Sequence, residues 1–212
     1  MNLDNSFNHR IERIGAIAGI LSIVLYFSAA VLPFIPDVLA RLFGFVFPLL
    51  WIVSFMGLYN FLKKENRTPS LEIGYLFGII GAALALIFIV VQQANYIWYT
   101  EAKETLDTEN ALELAKAAFR GANRVQLAMD VAFDIFITIA WFLFGLNISR
   151  SKSFGRILGW ITCILSFSLL MLNMITFPDP PARVGLFDLG PFLGFWTMII
   201  YIKFILIVHK AP

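Results

Sequence analysis

The chain has 212 residues; 59% are apolar and 14% are charged, against about 25% charged residues in an ordinary soluble domain. The net charge of +2 is too small for the clustered basic surface that nucleic acids require, so we expect no nucleic-acid partner. His9 and His209 stand at opposite ends of the chain, and Cys163 is the only cysteine. The sequence therefore predicts no metal site and no intrachain disulfide bond.

Six apolar blocks of about twenty residues follow one another, each long enough to cross a hydrocarbon core about 30 Å thick as an α-helix. Strands are not expected, because a lone strand in lipid would leave its backbone groups unpaired. Ser28-Ala29-Ala30 resembles a signal-peptidase site, but the apolar run continues to Leu32, so we expect a retained span. The predicted fold is an all-α polytopic membrane bundle forming one domain in the lipid bilayer, with spans at 13–33, 41–62, 73–96, 125–147, 154–177 and 189–209.

Lysines and arginines predict the orientation, because they accumulate on the cytoplasmic side of membrane proteins. If the N-terminus is cytoplasmic, ten of the 16 basic residues lie inside and six lie outside. The inner residues are Arg10, Arg13, Lys63, Lys64, Arg67, Arg150, Lys152, Arg156, Lys203 and Lys210. We therefore expect both termini in the cytoplasm.

The outer loop 100–123 is the one long predicted connection. Asp107 or Thr108 can cap a helix there, and Leu112, Ala115 and Phe119 recur along one helical face. This pattern predicts a short outer amphipathic helix that either lies on the outer leaflet or extends the fourth span. A plain solvated connector is the alternative.

Pairs of glycines four residues apart stand near the cytoplasmic start of each odd-numbered span. This spacing places both glycines on one helix face, where another backbone can approach closely. The pattern predicts three helical hairpins built on one plan, and glycine faces that could form a homo-oligomer or bind a partner membrane protein, although glycine is also common in membrane helices generally. The pairs are Gly15 and Gly19, Gly74 and Gly78, and Gly155 and Gly159.

Polar residues at membrane depth are the best signal of a site, because they are costly in lipid and face the bundle interior or a wet cavity. Asp130 and Asp134 lie one turn apart on the fourth span. With the orientation above, all the candidates fall in the outer half of the membrane. The candidate ligand-binding residues are Asp130, Asp134, Gln92, Gln93, Asn95 and Asn173.

These residues predict a polar cavity open to the outer face, floored by Asp134. Such a cavity could bind a cationic or hydroxylated ligand or relay a proton. The alternative is an interhelical hydrogen-bond network that sets helix register, with Arg124 or Arg120 folded back onto Asp130.

Sequence patterns of known catalytic sites are absent, including the nucleophile elbow, the zinc-protease helix and the phosphate-binding loop. Catalytic residues and cofactors are therefore not predicted. The leading hypothesis is an integral membrane protein that binds or transports a small amphiphilic or lipid-like molecule. The alternatives are a lipid-modifying membrane enzyme that uses Asp130 and Asp134, and a structural or accessory membrane subunit.

Three segments resemble a bacterial membrane family. They are the opening 13–20, the run 151–160 with Arg156-Ile157-Leu158-Gly159, and the closing 190–196. On these segments the chain resembles domain-of-unknown-function family four-three-eight-six. The resemblance implies a six-span fold and a multi-pass protein of the bacterial inner (plasma) membrane, and it carries over no catalytic residues.

Overall fold

The computed structural model describes residues 3–31 and 34–210, and six long α-helices account for most of them. All six are long and apolar enough to cross a membrane, which confirms the predicted helical membrane fold. The predicted end of the first span, at 32–33, lies outside the described residues. The helices are α1 (Leu3–Val31), α2 (Asp37–Glu65), α3 (Pro69–Thr105), α4 (Glu109–Arg150), α5 (Arg156–Thr176) and α6 (Gly190–Lys210), with a short 3₁₀ helix at Pro181–Val184.

The predicted outer loop 100–123 is wrong as a loop, because α3 and α4 continue through it and leave only the turn 106–108. Of the two predicted forms of the amphipathic helix, the structure takes the one that extends the fourth span. Thr108 caps α4 by accepting a hydrogen bond from the Ala111 amide. The extension holds because its apolar face has a partner: the Phe119 ring stacks on Tyr99 of α3 at 4.5 Å.

Helices α3 and α4 are therefore much longer than a membrane span. Their 37 and 42 residues correspond to lengths of about 55 and 63 Å, against a hydrocarbon core of about 30 Å. The paired helices extend beyond the bilayer at the end of the bundle that carries the turns 34–36 and 106–108 and the segment 177–189. We call this end of the bundle the loop end.

The helices form a ring in chain order, and α6 packs against α1 to close it. The pairs α1–α2 and α3–α4 are extensive hairpins, as the glycine pattern predicts. The third hairpin is weaker, since α5 lies mainly against α4 and α6 mainly against α1. A ring of six helices leaves a central space, and side chains decide where it is filled.

The predicted glycine faces lie at close helix crossings within the chain. A β-carbon on Gly15 would lie 2.6 Å from the Cα of Gly57, so α1 and α2 meet backbone to backbone. Gly19 lies beneath the ring of Tyr201. The third predicted pair is wrong as a helix face: Gly155 precedes α5 with φ of 92°, a left-handed conformation that glycine adopts at low cost.

Away from the loop end, the central space is filled by aromatic side chains. Phe55, Trp141 and Tyr201 are completely buried, from α2, α4 and α6. The hydroxyls of Ser54 and Tyr201 are 2.7 Å apart across the ring. This packing closes the bundle at the end opposite the loops, so the remaining space lies towards the loop end.

Asn147 joins the turn before α3 to the end of α4. Its side chain is buried, accepts a hydrogen bond from Thr68 at 2.6 Å, and donates to Ser70 at 3.1 Å and to the carbonyl of Leu143 at 2.8 Å. Thr68 also caps α3 by accepting from the Leu71 amide. These bonds set the relative position of α3 and α4, the two helices that carry most of the predicted site residues.

Candidate functional site

A cavity of about 1090 Å³ occupies the loop-end half of the bundle. Residues of all six helices line it, because the ring leaves its centre unfilled on this side. Its lining includes the exposed residues Asp37, Glu101 and Asp188, so the cavity opens at the loop end. The volume of about 1090 Å³ lies just above the range of about 300–1,000 Å³ for small-molecule sites.

One face of α4 forms a continuous wall of this cavity. Five residues of this face follow one another at helical spacing and line the cavity: Asn123, Gln126, Asp130, Asp134 and Trp141. The predicted common face of the two aspartates is therefore present. Neither carboxylate is exposed, since both side chains lie part-way down the cavity.

Of the other predicted site residues, Gln92 and Gln93 of α3 and Asn173 of α5 also line the cavity. Asn173 is buried and donates to the carbonyl of Leu169 at 3.2 Å. Five of the six predicted residues, from the three spans α3, α4 and α5, thus line one cavity.

Asn95 is the exception and does not line the cavity. Its side chain donates to the carbonyl of Phe119 at 3.1 Å, across the α3–α4 contact. Gln92 and Asn95 are three residues apart, yet the long pairing of α3 with α4 turns Asn95 towards its neighbouring helix. Its role in this structure is to join the two extended helices.

The predicted floor at Asp134 is too shallow. The cavity continues for about 10 Å along α4, the length of seven residues, down to Trp141. Trp51 of α2 also lines the cavity, and its ring stacks with Phe133 at 6.1 Å. Gly44, seven residues nearer the loop end on α2 than Trp51, leaves space in the upper part of the cavity, because a β-carbon there would meet only Ile89, at 3.5 Å.

Two indoles of the cavity lining, those of Trp141 and Trp51, have an unusual feature. Trp141 is completely buried, and its Nε1–H has no acceptor among the described residues; the same is true of the Nε1–H of Trp51. A buried donor without an acceptor costs about 1–3 kcal/mol. No sequence pattern separates these two tryptophans from ordinary packing residues, and only their position in the cavity lining distinguishes them.

Sequence reasoning also missed Gln126 and Asp188. Gln126 is 4% exposed and lines the cavity above Asp130. It lies at helical spacing from Asp130, which could have identified it. Asp188 lies in the segment before α6 and accepts a hydrogen bond from the Gly190 amide at 2.8 Å. No pattern in the sequence links Asp188 to Asp130. The two residues line one cavity only because the segment 177–189 crosses the loop end of the bundle.

The alternative in which an arginine neutralises Asp130 does not match the observed contacts. Arg124 donates instead to Asp179 at 3.1 Å, and Arg183 donates to the same carboxylate oxygen. Within residues 3–31 and 34–210, neither Asp130 nor Asp134 has a basic group within 4.0 Å. No group of three acidic, histidine or cysteine side chains in this described part is close enough to hold a metal ion.

Comparison of the chain with protein-family models, curated proteins and solved structures found no match. The family resemblance of the three segments described above therefore stays a prediction. The functional argument rests on the cavity and on the residues that line it.

Proposed function

We propose that this protein binds a small amphiphilic or lipid-like molecule in the loop-end cavity. The observation that carries the proposal is the cavity itself, about 1090 Å³ in volume, open at one end and closed by packed aromatic side chains at the other. A register-setting polar network would bring these polar groups into direct contact with one another. Here the groups surround a space instead.

The lining has the two chemical characters of an amphiphile. Gln92, Gln93 and Asn173 supply amide groups, whereas Ile23, Phe88 and Leu169 supply apolar surface. A molecule that partitions into the outer part of a bilayer carries both a polar head and an apolar body. Such a ligand forms hydrogen bonds with the amide groups and buries its apolar part against the apolar side chains. Water or a simple ion would leave the apolar surface without a partner.

Filling the cavity is expected to abolish ligand retention, and Gly44→Trp is the change of choice. Gly44 lines the cavity, and a β-carbon there would meet only Ile89, at 3.5 Å, so the indole enters the open space. Native mass spectrometry of wild-type protein released from its own membrane is expected to show a bound small molecule. We expect at least tenfold less of the bound molecule in Gly44→Trp, since the indole and the molecule would occupy the same volume.

Leu42→Trp is the matched control, because residue 42 is on the same helix, is 53% exposed and does not line the cavity. It should retain the molecule as wild type does. Equal retention by Gly44→Trp and Leu42→Trp would place the ligand outside the cavity. A wild-type protein that carries only another polypeptide would favour the accessory-subunit hypothesis.

We further propose a bacterial inner-membrane protein with both termini cytoplasmic, so that the cavity opens outwards. An even number of spans places both termini on one side. The basic residues Lys63 and Lys64, in the last turn of α2, and Arg67, in the turn before α3, lie away from the loop end. Positive charge favours the cytoplasmic side. The acidic cavity mouth then faces the exterior.

Reporter fusions test this orientation. Alkaline phosphatase, which is active only outside the cytoplasm, is expected to be active when inserted in the turn 106–108 and inactive when joined after Lys210. A fluorescent protein that folds only in the cytoplasm should show the opposite pattern. Activity of the phosphatase after Lys210 would reverse the proposed orientation.

A further inference from the structure

The charges around the cavity are strongly unbalanced. Five carboxylates line it, and Arg41 is the one basic residue of the described chain that does so. The acidic residues belong to α2, α3, α4 and the segment before α6, so acidic side chains surround the cavity from its mouth to half its depth. These residues are Asp37, Glu101, Asp130, Asp134 and Asp188.

The single guanidinium does not neutralise them. Arg41 Nε donates to the backbone carbonyl of Asp37 at 3.2 Å, and no carboxylate lies within 4.0 Å of it among the described residues. Asp130 and Asp134 lie deeper, where an unpaired acidic group is costly and marks a functional position. The missing component of this site is a positive charge.

Aromatic side chains form much of the remaining wall. The ring centroids of Phe88 and Phe133 are 5.5 Å apart, and the Phe133 ring stacks on Trp51. Three rings, from α2, α3 and α4, therefore form a contiguous surface. Aromatic faces attract an organic cation through the ring quadrupole and also bury its apolar body. A compact metal ion has no apolar body to bury against these rings.

The position of the carboxylates supports the same conclusion. They are spread around the cavity, and no three of the described acidic, histidine or cysteine groups converge on one point. The fully buried Trp141 adds a polar donor without an acceptor at the floor. The cavity thus offers dispersed acidic groups, aromatic faces and a volume far larger than an ion requires.

From this combination we infer that the ligand is a monovalent organic cation, with its positive centre near Asp130 and Asp134 and its apolar part against the aromatic wall. This inference rests on the proposed function and names the chemical class of the amphiphile. Dispersed carboxylates together with aromatic faces select such a cation against a neutral or anionic molecule of the same shape.

Tetraphenylphosphonium and tetraphenylborate are suitable probes, because they have nearly the same shape and opposite charge. Equilibrium binding is measured on the full chain in nanodiscs of zwitterionic lipid, with empty nanodiscs subtracted. Wild-type protein is expected to bind the phosphonium saturably and the borate not at all. Asp134→Asn removes one acidic partner of the phosphonium and should weaken its binding by roughly thirtyfold.

Glu113→Gln is the charge-matched control: residue 113 is exposed on α4 and does not line the cavity, so its replacement should leave binding unchanged. If Asp134→Asn does not fold, Asp188→Asn at the exposed mouth serves instead, with a smaller loss expected. Equal binding of both probes, or equal affinity in the aspartate and control variants, would overturn the inference.

The two proposals fail separately. A neutral or anionic molecule retained by wild type and lost in Gly44→Trp would overturn the cationic ligand and keep the amphiphile site. Absence of any ligand in wild type, together with no phosphonium binding, would overturn both.

Discussion

Replacing Gly159 with alanine is expected to destabilise the bundle by about 3 kcal/mol, the upper part of the range for overpacking. A β-carbon there would meet the backbone nitrogen of Ser149 and lie 2.5 Å from the carbonyl oxygen of Gly145. Both neighbours are backbone atoms of α4, which cannot move aside as a side chain can. The α4 and α5 helices must therefore separate along the crossing.

The measurement is the free energy of unfolding by titration of sodium dodecyl sulfate into mixed micelles. Gly121→Ala is the matched control, since residue 121 lies within α4 and a β-carbon there would have no atom within 4 Å. Alanine should stabilise that position by about 0.8–1 kcal/mol through helix propensity. A Gly159→Ala protein as stable as wild type would show that the close crossing does not exist.

Replacing Phe55 with alanine is expected to cost about 2–3 kcal/mol, because it leaves a void at the closed end of the bundle. The Phe55 side chain is completely buried, with its ring centroid 5.4 Å from that of Trp141 and 5.6 Å from that of Phe144. The loss comes from packing, since lipid is as apolar as the interior and transfer contributes little. Phe34→Ala, the same change at a 76% exposed position, should be nearly neutral.

A double-mutant cycle makes this prediction specific. The atoms nearest to a β-carbon on Gly78 would all belong to the Phe55 ring, at about 3.0 Å. Gly78→Ala should therefore destabilise the wild type and cost less in the Phe55→Ala background. Simple additivity of the two changes would contradict the contact between these residues.

Part of the candidate site was predictable because it depends on local rules. Asp130 and Asp134 share a face whenever their segment is helical, and the cost of a carboxylate in lipid directs that face inwards. Gln126 obeys the same spacing and was accessible to the same reasoning. Asn95 did not follow this rule, because the orientation of its side chain depends on the pairing of the extended α3 and α4, and a long loop at 100–123 had been expected beyond the third span.

The sequence by itself determined the membrane environment, the number of spans and their helical form, because twenty-residue apolar blocks in lipid have one way to satisfy their backbone groups. Only the tertiary structure decided where the ring of helices closes and where it stays open. The aromatic contact of Phe55, Trp141 and Tyr201 fills one half, whereas small residues such as Gly44 leave the other half hollow. The depth of the cavity follows from this long-range packing, in which side chains far apart in the chain fill a common space or leave it empty.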